Sequence, residues 1–305
     1  SGLPRNVEIM MDGFEGRLTP EQQVDPRYAF RVFMVGRTAN RAPSADLAVE
    51  IAKGSASLAI TKVHLAPEPV HRDRIVTPSR LDPFAVPLEE QTALLLSTMD
   101  LIQRHPGVVR SHASLWAQRD RKLFVSTEGS HLEFDLLAMQ GDCTATAVHN
   151  GRFASRSFNT PHLRTGYELV RDADWAREGA RIAEQAVEKV RAPAIDAGRY
   201  DLVLDPEHLS LTMHESCGHP SELDRALGYE ANYAGTSFLT PDKRGTYRYG
   251  SADVNLVADN TEPGTLAATG YDDDGVSCQK WDIVREGIFV GYCTNREVAP
   301  RIKEE

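Results

Sequence analysis

The run Met213-His214-Glu215-Ser216-Cys217-Gly218-His219-Pro220 places two imidazoles and a carboxylate within six residues. It constrains the fold more than any other stretch. The better-known zinc signature, H-E-x-x-H, sets its two His four apart on one helical face. Here they are five apart, and on an ideal α-helix that separates the side chains by about 140°. The two imidazoles can meet only if the helix is distorted or ends between them. Gly218 and Pro220 flank His219. Gly accepts left-handed backbone angles and Pro cannot continue a helix, so an ending here is expected.

The approach to the motif is also readable. Leu202-Val203-Leu204 is an apolar, strand-like run. Asp205-Pro206-Glu207 follows, with an N-cap, a Pro at the first helical position and an acid in the first turn. The expected order is strand, tight connection, short helix, with the polar cluster at the helix's far end. Glu215 can then face a water beside the two His, the general-base arrangement of hydrolytic zinc enzymes. With ten His in the chain, a metal site and a chance spacing weigh about equally on the residues alone.

Upstream, the apolar period calls for helices over 44–58, with Ser44 as N-cap, over 88–105 and over 174–191. The third carries Trp175, Ile182, Ala183, Ala186, Val187 and Val190 on one side and is stopped by Pro193. Residues 66–87 hold five prolines and read as an irregular connection. Between 108 and 158 the period changes to that of strands. These are expected at 113–117, 122–126, 132–136 and 144–149, with turns at 118–121, at 128–130 and at Asn150-Gly151. The fold class is therefore α+β: helices packed on an antiparallel sheet in an N-terminal domain, residues 1–197. A β-rich second domain, residues 198–305, carries the short metal-motif helix and a hairpin of Ile283-Val284 and Phe289-Val290 around Glu286-Gly287.

Composition narrows the function. The 305 residues carry a net charge of −10, which argues against a general nucleic-acid or anionic-membrane surface. No apolar run approaches the ~18 residues of a membrane span. Cys143, Cys217, Cys278 and Cys293 are scattered without a C-x-x-C pair, as expected of a reducing, cytoplasmic setting. Asp272-Asp273-Asp274-Gly275 lacks calcium-loop spacing and reads as a solvated turn. His208 reads as a surface group, and Cys217 as small apolar packing rather than a ligand.

The run His214-Glu215-Ser216-Cys217-Gly218-His219 does not stand alone. Glu222-Leu223-Asp224-Arg225, Gly235-Thr236-Ser237 and 257–261 follow it, and then 270–275 and 283–292. Together these segments resemble the TldD/PmbA family of metallopeptidases, in particular its TldD-type, H-E-x-x-x-H-bearing members. The resemblance is strong from about Tyr200 onward and loose before it. It implies zinc as cofactor, His214 and His219 as ligands and Glu215 as the catalytic residue. It implies hydrolysis of peptides or unfolded polypeptides, and a heterodimer with a related, motif-lacking subunit of the TldE/PmbA type. It also implies a third ligand, a Cys farther downstream. None of the four Cys occupies that position, so a further segment or a different group is expected to complete the site. The alternative is a non-catalytic regulatory protein of the gyrase-modulator type, with a structural or empty metal site.

Overall fold

The computed structural model describes residues 41–58 and 63–302. Helix α1 (Arg41–Leu58) begins three residues before Ser44, so Ser44 lies in its first turn rather than at its cap. Strands β1 (Arg72–Val76), β2 (Val108–Val125), β3 (His131–His149) and β4 (Arg152–Asn159) form a mixed sheet. Strand β2 runs antiparallel to β3 along nearly its whole length. On the other edge of β3, β1 pairs in parallel with 131–135 and β4 antiparallel with 142–149.

Two expectations are corrected here. Strand β1 lies inside the Pro-rich connection; Pro69 and Pro78 flank it without entering it, and its partner is some 60 residues away. The expected turn at 118–121 is continuous strand. Its polar residues are paired instead: Arg119 binds Asp82 and Asp135, each at 2.8 Å, and Gln118 donates to Asp120 at 2.6 Å. The two expected strands 132–136 and 144–149 are likewise a single strand, β3.

Strand β3 serves two cores on opposite faces. Side chains alternate across a strand, and Leu132, Phe134 and Leu136 bury one face against Ile75, Phe124 and Tyr271. From 137 the buried set shifts by one: Met139, Cys143, Ala145 and Ala147 bury the other face beneath α2 (Leu88–Gln103) and α4 (Trp175–Arg191). A short helix α3 (Glu168–Arg171) precedes α4. Asp174 caps α4 by accepting from the Arg177 amide at 3.0 Å. Burial within this core pushes the Cys143 thiol up to about 11. At Gly141 the indole of Trp175 packs onto bare backbone: a Cβ there would come 2.7 Å from Trp175 Cη2. Gly141→Ala is therefore expected to destabilise the fold by about 1–3 kcal/mol, the usual scale of overpacking. Denaturant melts of the variant check this.

The later segment folds around a second cluster of Leu223, Leu239, Ile283, Val284, Phe289, Tyr292 and Val298. Its sheet is short: β5 (Leu256–Asp259), β6 (Lys280–Arg285) and β7 (Ile288–Phe289). The expected hairpin is present, with Glu286 and Gly287 at φ 50 and 78. The rest of this segment is short helices, turns and irregular chain, with little of the expected β structure beyond this sheet. Asp272-Asp273-Asp274-Gly275 is a turn, closed by Asp272 accepting from the Asp274 and Val276 amides. Leu202-Val203-Leu204 forms no strand; among the described residues it is exposed and pairs with no other strand. Its apolar character is real, but strand formation needs a partner backbone as well as a propensity.

The two parts touch through ion pairs and loops. Arg296, nearly buried, makes a bidentate pair with Glu128 at 2.7 and 2.9 Å, and its Nε donates to the Ala66 carbonyl. That pair holds the Glu128 carboxyl below its ordinary 4.5. Arg181 does the same for Glu178, and Thr261 with Lys280 brings Asp259 down to about 2. Carboxyls depressed by folding contribute stability above their unfolded values that is lost as pH falls through the folded ones. The melting temperature is expected to hold above about pH 5 and to fall progressively from there towards pH 2. Melts followed by circular dichroism decide it, and a constant melting temperature across that window would contradict these pairings. Among the described residues, no helix is long and apolar enough to cross a membrane.

Candidate metal centre

Helix α5 (Pro206–Met213) begins as its sequence dictates. Asp205 accepts from the Glu207 amide at 2.9 Å, and Pro206 fills the first turn. The helix buries none of its residues. It then widens instead of ending: 214–218 form a single π-helical turn, and the His219 amide donates to the His214 carbonyl. A π turn closes hydrogen bonds from i to i+5. Residues five apart therefore stand one above the other, which removes the offset that an α-helix would impose. Gly218 takes no part through left-handed angles; its φ is −63. The expected Gly-driven ending is corrected, and the chain stays helical through His219 into a 3-10 turn, His219–Ser221.

The consequence is local convergence. The rings of His214 and His219 lie edge to face with centroids 4.3 Å apart. One nitrogen of each ring and one oxygen of Glu215 all fall within 4.8 Å of one another. His214 and Glu215 are exposed and His219 is partly buried. Two imidazoles and a carboxylate at this separation are a donor set that suits zinc, which binds nitrogen and oxygen at about 2.0–2.2 Å. Such a group is open to solvent.

The turn is held from below. Tyr249 donates its hydroxyl to the Ser216 carbonyl at 2.6 Å, and the same oxygen lies 3.2 Å from Cys217 Sγ. Burial, then the Cys217 contact, pushes the Tyr249 phenol upward. Cys217 faces this tyrosine and is not part of the converging group. Ser221, fully buried, donates to the Gly218 carbonyl at 2.7 Å, and Ser237 donates to the Pro220 carbonyl. Beyond it, the backbone pairs with the strand-like segment at Cys293: Cys293 N donates to Ser221 O at 2.8 Å, and Leu223 N to Cys293 O at 2.9 Å. Leu223 opens helix α6 (Leu223–Ala226) and is buried in the second core. The motif thus has an exposed entry and an anchored exit.

Of this environment, Tyr249 was not singled out from the sequence, while Glu222 and Cys293 were named there but not placed beside the motif. Tyr249 and Cys293 carry no spacing relation to the motif. Glu222 does: it follows His219 by three residues, and its Oε1 lies 2.9 Å from His219 Nδ1.

Residues 197–305 match the family model described as the PmbA/TldA metallopeptidase C-terminal domain. The chain is 26% identical over 228 residues to a metalloprotease of Methanocaldococcus jannaschii, covering 74% of this chain and 48% of that protein. It is 27% identical over 243 residues to a metalloprotease of Synechocystis, covering 79% and 50%. A zinc metalloprotease TldD homolog of Saccharolobus solfataricus is 23% identical over 190 residues, covering 61% of this chain and 37% of that protein. The chain spans about half the length of the first two of these relatives. Among solved structures, a Thermotoga maritima protein named as a modulator of a DNA gyrase shares the fold with a TM-score of 0.68 at 17% identity, over 86% of this chain and 57% of that one. TldE from Thermococcus kodakarensis aligns with a TM-score of 0.53 at 16% identity, over 86% and 57%. Residues 197–305 are thus similar to the PmbA/TldA metallopeptidase C-terminal domain, and the alignments to these relatives and the shared fold run well upstream of it.

Proposed function

We propose that this chain carries the catalytic half-site of a zinc-dependent peptidase acting on peptides or unfolded polypeptides. The convergence of His214, Glu215 and His219 within 4.8 Å on a π turn carries the reading. The metalloprotease names of the relatives support it. His214 and His219 hold the metal through ring nitrogens. Bound zinc supplies Lewis acidity: it polarises the scissile carbonyl and lowers the pKa of water. Glu215 takes the proton from the attacking water on its carboxylate and returns it to the leaving amine nitrogen. Its exposure leaves it free to do both.

A catalytic zinc site uses three protein ligands and keeps one position open. With Glu215 as base, this group offers two. We propose that the third lies outside the described residues, and that a related, motif-lacking subunit of the TldE type completes the working enzyme; the fold shared with TldE supports that pairing. The four free thiols support a cytoplasmic setting. The division at 197/198 is proposed as the domain boundary.

Zinc titration of the 305-residue chain tests the incomplete site. Weak binding without peptidase activity is expected. Tight stoichiometric binding with activity would show that a group within the chain, Cys217 or Cys293 first, completes it. The gyrase-modulator names of two structural neighbours favour one other reading, a regulatory protein without catalysis. It requires a completed assembly that hydrolyses no peptide, whether its metal site is structural or empty.

A further inference from the structure

We propose that Glu222 is a positioning residue: it fixes the His219 ring with Nε2 presented to the metal, and Arg225 holds Glu222 in that task. The inference rests on the metallopeptidase reading above. A carboxylate oxygen can only accept a hydrogen bond. Glu222 Oε1 lies 2.9 Å from His219 Nδ1, so Nδ1 carries the hydrogen. In a neutral imidazole the lone pair is then on Nε2. Histidines that bind metals commonly donate their other N–H to a carboxylate in this way, which sets both tautomer and ring orientation.

The second carboxylate oxygen is also committed. Arg225 Nε donates to Glu222 Oε2 at 2.9 Å. Arg225 is itself tied down: its side chain is 14% exposed, Nη1 donates to the Ala234 carbonyl at 2.8 Å, and Nη2 lies 3.2 Å from Glu230. Nη2 also lies 3.3 Å from His219 Nδ1. A guanidinium only donates, so that contact could bond only if Nδ1 were bare. The shorter approach to the carboxylate decides against it. The carboxylate is therefore gripped at both ends and cannot swing from the ring without breaking the Arg225 pair. The backbone adds rigidity, because Ser221, next to Glu222, is fully buried and Leu223 after it is core. His214 has no hydrogen-bonding partner of this kind among the described residues. The arrangement presets one ligand and leaves the other to be ordered on binding.

The test uses metal-free protein labelled with [15N]histidine, in which ring-nitrogen shifts report the tautomer, together with zinc affinity from chelator competition. Wild-type His219 should be the Nδ1–H tautomer. Glu222→Ala should lose that preference and bind zinc about 10–100-fold more weakly, the usual penalty for removing such a partner. Glu222→Gln, whose amide oxygen still accepts, should keep the tautomer and lose less affinity. A wild-type His219 protonated on Nε2 overturns the proposal. So does a folded Glu222→Ala with unchanged tautomer and zinc affinity. If Glu222→Ala does not fold, Glu222→Gln carries the test, and loss of the Nδ1–H tautomer there overturns it. A His214→Ala, His219→Ala variant that binds zinc like wild type sinks the metal reading instead. The metal-free spectrum still decides separately whether Glu222 orients the ring.

Discussion

Glu215→Gln is expected to keep its zinc and to lose peptide hydrolysis by roughly two to four orders of magnitude, the scale of a positioned general base. Gln keeps the size and most of the hydrogen bonding of Glu but cannot take a proton. Glu215 is exposed at the open end of the His pair, so the substitution disturbs no packing. Folding and metal content should therefore match wild type, and the whole effect should fall on turnover. Because activity is expected only from the completed assembly, hydrolysis is measured there, with metal content followed in parallel by elemental analysis. Undiminished turnover would assign the proton transfer to another group. A loss of zinc along with activity would recast Glu215 as a ligand.

Replacing His214 and His219 together with Ala should remove specifically bound zinc from the folded protein, while Cys143→Ala should not. Cys143 lies fully buried beneath α4 in the first core, far from solvent, and its thiol is pushed upward by that burial. It thus serves as the control that a general loss of thiols or of stability does not explain the result. The single variants should each lose most of the affinity, because a site with two imidazoles has none to spare. Elemental analysis of the completed assembly after gel filtration reads the outcome. Full zinc retention in a folded double variant would end the assignment.

Much was legible in the residues themselves. The helices over α2 and α4 follow from apolar residues at helical spacing and, for α4, from an Asp cap. The hairpins at Asn150-Gly151 and Glu286-Gly287 are present where turn chemistry calls for positive φ. The start of α5 is written in Asp205-Pro206-Glu207. These are local matters, settled within a few residues by sterics and hydrogen bonding. The chemical content of the site was equally local: two imidazoles and a carboxylate in six residues name the elements they can hold.

What distant contacts decide was not legible. Strand β1 forms because β3 offers it an edge, and the continuity of β2 through 118–121 depends on Asp82 and Asp135, which pair with Arg119 from other parts of the chain. The change of buried face at 137 split β3 in the sequence pattern, because two cores on opposite sides of one strand break the alternation that marks a strand. At the site, the spacing of five showed that an α-helix would fail but not how the chain would resolve it. The resolution is a π turn in a segment held by the Tyr249 hydroxyl, the Cys293 backbone and the buried Ser221. The sequence by itself determined which donor atoms are available and that their helix had to depart from the α form. Only the tertiary structure decided that it widens rather than ends, because two of the anchors that hold this segment, the Tyr249 hydroxyl on Ser216 and the Cys293 backbone on Ser221, come from distant parts of the chain.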